Sequence, residues 1–297
     1  MILALPFLTP KPKFGGHFSK SLAISTNPFL RCSFTTKFSS TLLKCHCCNH
    51  NKDTDKSTQG FSVLTSDIPW KTESLWSTMA LYMFNLHIPL GFGGLSIVSY
   101  LLHQPVLDPQ TEALSLLVID ILELLATLFL LKSTIKPNNR LLDIFKVNPV
   151  ERNWLLASAL GFGVLILLVF ITSIVVDGLY GLKDVNNLIL KEMLVRSDIS
   201  KGACITVYCI ITPILEEMVY RGFMLASLAS TMNWKQAVVI SAAIFSAAHL
   251  SGENFLQLFV IGCILGCSYC GTGNLSSSIL IHSLYNAFTL IITFLHR

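Results

Sequence analysis

Six side chains in the last third of the chain have types and spacings that suit hydrolysis. They are Glu216, Glu217, Arg221, His249, His282 and Asn286. The first three lie within six residues, inside a stretch (202–228) that is otherwise almost wholly apolar or small. A charged side chain at the centre of a bilayer costs about 2.5–3.5 kcal/mol even on the lenient insertion scale, so ionisable residues in such surroundings are candidates for function.

The spacing on a helix predicts different roles for the two neighbouring carboxylates. Glu217 and Arg221 are four residues apart, share one helix face and can form a charge-assisted pair. Glu216 projects about 100° away from Glu217. An apolar setting raises the pKa of a carboxyl group and a nearby cation lowers it. We therefore expect Glu216 to be a general base that accepts a proton from water, one turn after the helix-loosening Pro213.

Two further segments supply the groups that such a base needs. His249 follows a run of small residues, which suits close packing of helices. His282 and Asn286 are four residues apart, and both can donate hydrogen bonds to a developing oxyanion. Three helices would then contribute a carboxylate, an imidazole and a donor pair to one interior site.

These motifs resemble those of the CPBP family, the CAAX prenyl endopeptidases and bacteriocin-processing (Abi-type) proteins. The three motifs are Glu-Glu-x-x-x-Arg (216–221), Phe-x-x-x-His (245–249) and His-x-x-x-Asn (282–286). The resemblance covers about residues 200–295 and implies an intramembrane glutamate-type endopeptidase that needs no cofactor. By matching position, Glu216 with His249 would activate water and His282 with Asn286 would stabilise the oxyanion. Glu217 and Arg221 would support the site structurally.

Three other functions remain open from the residues. Glu216, His249 and His282 are possible Zn²⁺ ligands, although His-Glu-x-x-His is absent. A non-proteolytic plastid scaffold could retain the same polar residues for packing while it binds and stabilises partner proteins. A transporter would also bury charges, but no inverted repeat or pair of broken helices is evident. The sequence names no client; a CAAX-type activity would require a prenylated protein substrate.

Composition predicts the elements that must position these residues. Only 13% of the residues are charged and the mean hydropathy is +0.62, against about 25% charge in soluble domains. We therefore expect an all-α polytopic membrane protein with about seven transmembrane helices around a polar intramembrane site. The predicted spans are 76–102, 113–132, 154–176, 203–229, 235–250, 254–271 and 275–295. The short fifth and sixth segments favour a tilted pair or a tight hairpin, and Val185–Val195 an interfacial or loop helix.

The N-terminus has the pattern of an organelle transit peptide. Residues 1–52 hold seven of the 21 basic residues and none of the 17 acidic ones. The remainder thus carries 14 basic against 17 acidic residues, so basicity predicts no nucleic-acid partner. We predict a chloroplast transit peptide (1–50), a polar linker (51–75), N-terminal membrane helices with an interfacial helix (76–200) and a catalytic core (201–295). The multi-pass protein would lie in a chloroplast membrane, thylakoid or inner envelope.

Other polar residues receive no catalytic role from the sequence. His87 is expected to be a packed hydrogen-bonding residue outside the site. Asp120 and Glu123, three apart on the second predicted span, could bind a partner helix, meet a cation or line a cavity. The positive-inside rule places the basic loop Lys132–Arg152 on the stromal side.

Overall fold

The computed structural model describes residues 60–64, 67–137, 139, 153–180 and 188–295. The predicted transit peptide and most of the basic loop Lys132–Arg152 lie outside these residues. Within them the regular structure is helical, apart from one isolated β-bridge between Trp70 and Ile135. The all-α prediction is therefore confirmed. In chain order the helices are α1 (Thr72–Phe92), α2 (Gly94–Leu101), α3 (Pro109–Thr134), α4 (Trp154–Tyr180), α5 (Leu188–Arg196), α6 (Asp198–Ala229), α7 (Trp234–Ala248), α8 (Phe255–Thr272) and α9 (Leu275–Leu295).

Each of the seven predicted apolar segments is helical, but two of them do not form a single straight span. Helices α3, α4, α6, α8 and α9 are each long and apolar enough to cross a membrane. Helices α1 and α2 pass that test only as a pair, bent by 50°. Helix α7 has 15 residues, fewer than the roughly 17 needed to cross the hydrocarbon core. The chain is thus a multi-pass membrane protein with five or six candidate spans among the described residues, rather than seven.

The outer helices present apolar side chains to their surroundings. Phe129 on α3 is 77% exposed, and Leu160 and Leu167 on α4 are also exposed. Lipid tails are as apolar as these side chains, so such a surface costs nothing in a bilayer. Exposure of this kind on two long helices is what a membrane protein requires.

Helix α6 lies inside the bundle. Two thirds of its most apolar window is buried (67%), compared with 11% for α4. This difference decides where the polar residues can go, because only a helix surrounded by other helices can carry three charges without exposing them to lipid. The helix that bears Glu216, Glu217 and Arg221 is the one that the bundle encloses.

Helices α7 and α8 form the tight hairpin that their short lengths favoured. Gly262 of α8 approaches α7 so closely that an added Cβ would stand 2.9 Å from the Cβ of Ala242. One turn on, a Cβ at Gly266 would meet Val238 at 3.2 Å. Small residues at this interface let the two backbones approach, which brings α7 and its terminal His249 against α6.

Two smaller elements brace the bundle. Helix α5 buries Leu190, Met193 and Leu194 while Ile189 and Val195 remain exposed, so the amphipathic helix predicted in this region packs one face on the protein. Before α1, the backbone amide of Val63 donates to the carbonyl of Cys270 on α8 (2.9 Å).

Candidate active site

The chain around the two glutamates departs twice from α-helical geometry. Helix α6 is π-helical at Val207–Ile211, α-helical at Thr212–Glu217 and π-helical again at Met218–Leu225. Pro213 lies where the first π-helical segment meets the α-helical stretch, and its missing N–H removes one backbone hydrogen bond from the continuous helix. The loosening expected near this proline therefore takes the form of π turns on both sides of the pair. Single π turns occur preferentially at functional sites.

Glu217 and Arg221 form the predicted ion pair, and both side chains are completely buried. The Nη1 of Arg221 donates to Oε1 of Glu217 at 2.8 Å, and its Nη2 donates to the carbonyl of Gly262 at 3.2 Å. The guanidinium also lies 4.4 Å from the ring centroid of Phe245, which is a cation–π contact. Arg221 thus joins α6 to both helices of the α7–α8 hairpin.

His282 of α9 is held by the same carboxylate. Its Nδ1 lies 2.9 Å from Oε1 of Glu217, and a carboxylate can only accept, so Nδ1 carries the hydrogen. Its Nε2 faces Oε2 of Glu216 at 3.8 Å. Glu217 therefore fixes the tautomer and the ring orientation of His282, a bond that the sequence did not predict.

His249 is oriented in the same way from the other side. Its Nδ1 donates to the carbonyl of Phe245 at 2.7 Å, one turn earlier in α7. Its Nε2 then faces Oε1 of Glu216 at 3.6 Å, slightly longer than a hydrogen bond. Glu216 is 2% exposed and lies between the two imidazoles.

The three groups that meet at this point share one chemical property. When both imidazoles are neutral, the two Nε2 atoms present lone pairs, and an ionised Glu216 presents only acceptor oxygens. Neither Nε2 has a hydrogen-bond partner among the described residues. Acceptors that face one another need a donor between them, either an extra proton on an imidazole or a water molecule. The arrangement can therefore hold and polarise a water.

Asn286 is the remaining predicted site residue, and it is fully buried. Its Nδ2 donates to the carbonyl of Tyr208 at 2.8 Å, in the first π-helical segment of α6. A carbonyl cannot donate, so this contact assigns the orientation of the amide. One Nδ2 hydrogen is used there and a second is left for another acceptor. Asn286 is thus tied to the backbone of α6, which the sequence did not predict.

Five of the six predicted site residues come together where α6, α7 and α9 meet, namely Glu216, Glu217, Arg221, His249 and His282. Asn286 lies one turn after His282 on α9 and bonds to the backbone of α6 instead. Among the described residues, no group of three or more His, Cys, Asp or Glu side chains is arranged to hold a metal ion. The contacts that the sequence did not reveal join residues distant in the chain, such as Gly262 with Arg221. No local spacing rule could have found them.

A second polar cluster lies on the N-terminal helices. Nδ1 of His87 donates to Oε1 of Glu123 at 2.9 Å, and the hydroxyl of Tyr82 donates to the same oxygen at 3.3 Å. His87 is thus hydrogen-bonded, as expected of a packed histidine. Oδ2 of Asp120 accepts from the hydroxyl of Thr212 on α6 (2.9 Å). The face of α3 that carries both acids is directed into the bundle.

One of the comparisons with known proteins matches the part of the chain that carries this site. Residues 200–288 match the family model described as type II CAAX prenyl endopeptidase Rce1-like. The chain is 29% identical over 143 residues to the membrane-embedded CAAX protease MroQ of Staphylococcus aureus (strain USA300). That alignment covers 46% of this chain and 57% of the relative, so the chain spans little more than half of the relative's length. No solved structure matches the chain.

Proposed function

We propose, from the match of residues 200–288 to the type II CAAX prenyl endopeptidase Rce1-like family model, that this protein is an intramembrane endopeptidase in which Glu216 activates water. The observation that carries the proposal is the convergence of the Nε2 atoms of His249 and His282 on Glu216, at 3.6 and 3.8 Å. With His249 neutral, its Nε2 and an ionised Glu216 offer two acceptors to a water molecule that donates both its hydrogens, while a doubly protonated His282 would donate from its own Nε2. A water held so is polarised for attack on a carbonyl carbon.

The proposed reaction balances without a cofactor. Glu216 takes one proton from the water as its oxygen bonds to the scissile carbonyl carbon, and the carbonyl π electrons move onto the oxygen. When the tetrahedral intermediate collapses, the C–N bond breaks and the leaving amine takes the proton from Glu216. His249 accepts a hydrogen bond from the water's second hydrogen, which stays on the attacking oxygen, and so orients the attacking lone pair. The products are a carboxylic acid and an amine.

The geometry refines the proposed oxyanion site of His282 and Asn286. Because Nδ1 of His282 already donates to Glu217, donation from Nε2 requires the doubly protonated imidazolium. Asn286 uses one amide hydrogen on Tyr208 and would donate the second to the oxyanion. Buried donors aimed at a developing charge typically contribute about 10²–10³-fold to the rate.

The proposed substrate class rests on the family match and on the surroundings of the site. A buried polar centre among apolar helices favours a membrane protein, or a lipid-modified chain end such as a prenylated CAAX C-terminus. A quenched fluorescent peptide with a farnesylated CAAX terminus, and its unprenylated twin, would be offered to the purified protein in liposomes. Cleavage of the farnesylated peptide alone would support a CAAX-type substrate.

Replacement of the proposed base tests the mechanism. In Glu216→Gln the amide cannot take a proton from water, so we expect the cleavage rate to fall by about 10²–10⁴-fold with the melting temperature maintained. Glu112→Gln makes the same change in the partly exposed first turn of α3 and serves as the control. Retained turnover in Glu216→Gln would refute the role of the base.

Two further experiments address the alternative functions, a zinc enzyme and a scaffold. A zinc enzyme would lose activity to a chelator and contain stoichiometric metal that disappears in His249→Ala. A scaffold that binds plastid proteins would let Glu216→Gln rescue a loss-of-function line as well as the wild type does. We expect neither result.

We also propose a chloroplast membrane as the location. The support is the acid-free, basic and hydroxyl-rich leader at residues 1–50, and plastid partner proteins would follow from that location. Fusion of residues 1–60 to a fluorescent reporter tests it. Import and cleavage by isolated chloroplasts are expected, and a reporter that stays outside would contradict the proposal.

A further inference from the structure

The polar cluster on α1 and α3 lies outside the matched residues 200–288, and its geometry is specialised. Tyr82 and His87 are five residues apart, so in an α-helix their side chains would point about 140° away from each other. The residues from Tyr82 to Phe92 form a π-helix instead. In a π-helix the hydrogen bonds join residues five apart, so each turn holds more residues and the angle between the side chains of residues 82 and 87 is smaller than in an α-helix. Both side chains therefore reach the same oxygen of Glu123.

The resulting cluster is compact and buried. The rings of Tyr82 and His87 are stacked, with centroids 5.4 Å apart. Tyr82 is 1% exposed and Glu123 is 2% exposed. Gly91, in the same π-helix, leaves space beside the pair, since an added Cβ would stand 3.7 Å from Oε2 of Glu123. The π-helix and the hydrogen bonds are two separate observations, and both place Tyr82 and His87 against Glu123.

A row of aromatic rings joins this cluster to the candidate active site. The edge of Tyr82 meets Tyr220 with centroids 6.4 Å apart, and Tyr220 lies one turn after Glu216 on α6. Tyr220 packs at right angles to Phe245 at 5.1 Å, and Phe245 contacts the ring of His249 at 4.7 Å. The rings of Tyr82, Tyr220 and Phe245 thus form a continuous series of contacts from Glu123 on α3 to His249, the imidazole that would orient the water.

Two further contacts hold this row in place. The hydroxyl of Tyr220 points to the sulfur of Met83, next to Tyr82, at 3.7 Å. Asp120, three residues before Glu123, accepts from Thr212, which lies one turn before Glu216. Helix α3 therefore contacts α6 one turn before the proposed base, and α1 contacts it one turn after.

We propose that Glu123, acting through Tyr82 and His87, is a positioning residue for the hydrolytic site, and that it fixes the aromatic row that seats His249. This inference rests on the proposed function, because it assigns His249 to the orientation of water. It makes the N-terminal helices part of the machinery of the site, although the family match does not reach them.

The test compares two substitutions of Glu123 in the full-length protein in liposomes. Glu123→Ala removes both hydrogen bonds, and we expect kcat for the farnesylated reporter to fall by about 10–100-fold, the size of effect known for a 1 Å displacement of a reacting group. KM should stay within about twofold, because the residue does not touch the substrate. Glu123→Gln keeps an acceptor oxygen and should recover kcat to within about threefold of wild type. Glu112→Gln is the control on the same helix.

A spectroscopic measurement tests the positioning without any turnover. Imidazole ¹⁵N NMR of His249 should show shifted signals in Glu123→Ala and in the milder Tyr82→Phe, but not in Glu112→Gln. Unmoved His249 signals in both variants would overturn the inference, as would an unchanged kcat in Glu123→Ala. If Glu123→Ala does not fold, Tyr82→Phe decides between these results.

The two proposals fail in different ways. Full activity in Glu216→Gln would contradict the base and leave the NMR result standing as evidence on Glu123. A strong loss in Glu216→Gln together with normal kcat and normal His249 signals in Glu123→Ala would contradict the positioning role alone.

Discussion

At the scale of single residues, one carboxylate oxygen organises the site. Oε1 of Glu217 accepts from Arg221 at 2.8 Å and from His282 at 2.9 Å. One bond serves stability, because it neutralises a buried cation. The other serves chemistry, because it fixes which nitrogen of His282 faces Glu216. A single residue therefore links the packing of α6 to the tautomer of His282.

This double role predicts the effect of Glu217→Gln. The substitution leaves the guanidinium of Arg221 fully buried without a counter-ion, and breaking a buried pair in this way destabilises a protein by about 3–5 kcal/mol. We expect a lower melting temperature in detergent and a loss of cleavage. Glu73→Gln, at an exposed position in the first turn of α1, is the matched control. Equal melting of the two variants would mean that another group balances Arg221.

The sequence predicted the part of this network that is local. The pair Glu217–Arg221 follows from a four-residue spacing on a helix, so it required no knowledge of tertiary structure. The bond from His282 to Glu217 joins residues 65 positions apart and depends on how α9 docks against α6. The bond from Asn286 to the carbonyl of Tyr208 depends on the same docking of α9 against α6. Side-chain types predicted which residues meet, but not which atoms bond.

At the scale of helices, the described π-helical segments adjoin the polar clusters. The segment Val207–Ile211 contains Tyr208, whose carbonyl accepts from Asn286. The segment Met218–Leu225 contains Tyr220, whose carbonyl accepts from Ser241 at 3.0 Å. A π turn leaves carbonyls available to side chains of neighbouring helices. The sequence indicated only the disturbance at Pro213, because no local pattern distinguishes a π turn from an α turn.

The described residues give five or six candidate spans where hydropathy predicted about seven, for a similar reason. Hydropathy identifies apolar segments, but it does not register the 50° bend between α1 and α2. Nor does it separate a spanning helix from α7, which is short and apolar because it packs in a hairpin. Bends and hairpins are set by packing, and packing is read only in three dimensions.

The close approach of α7 and α8 predicts a marked effect of Gly262→Ala. The added Cβ would stand 2.9 Å from Ala242 and 3.3 Å from the ring of Phe245, so the helices must separate. The carbonyl of Gly262, which holds Arg221, would move with them. Overpacking of this kind typically costs about 1–3 kcal/mol, and we expect weaker thermal stability together with reduced cleavage.

The matched control for this prediction is Gly163→Ala on α4, where nothing lies within 4 Å of an added Cβ. Alanine also favours the helix, so that variant should melt at or slightly above the wild-type temperature. Similar behaviour of the two variants would show that α7 and α8 adjust freely, contrary to the tight contact.

At the scale of the whole molecule, the described residues before α1 tie distant helices together. Trp70 is 2% exposed, and its Nε1 donates to the hydroxyl of Ser227 near the end of α6 at 2.6 Å. Its ring contacts Phe223 at 5.1 Å. The carbonyl of Ile68 accepts from Nζ of Lys136, just after α3. The sequence predicted only a polar linker at 51–75, because one tryptophan in a polar stretch does not reveal its partners.

These contacts predict that the segment before α1 contributes to stability. A chain that begins at Lys71 lacks Trp70 and should melt well below a chain that begins at Gly60, since removal of a buried tryptophan side chain typically costs about 3–5 kcal/mol. Trp70→Phe separates the two components of this effect in the longer chain. It keeps a ring against Phe223 and loses the hydrogen bond to Ser227, which is worth about 0.5–1.5 kcal/mol. The melting temperatures in one detergent should therefore rank the chain from Gly60 first, Trp70→Phe second and the chain from Lys71 last. Equal values for the two truncated chains would show that α3 and α6 hold together without this segment.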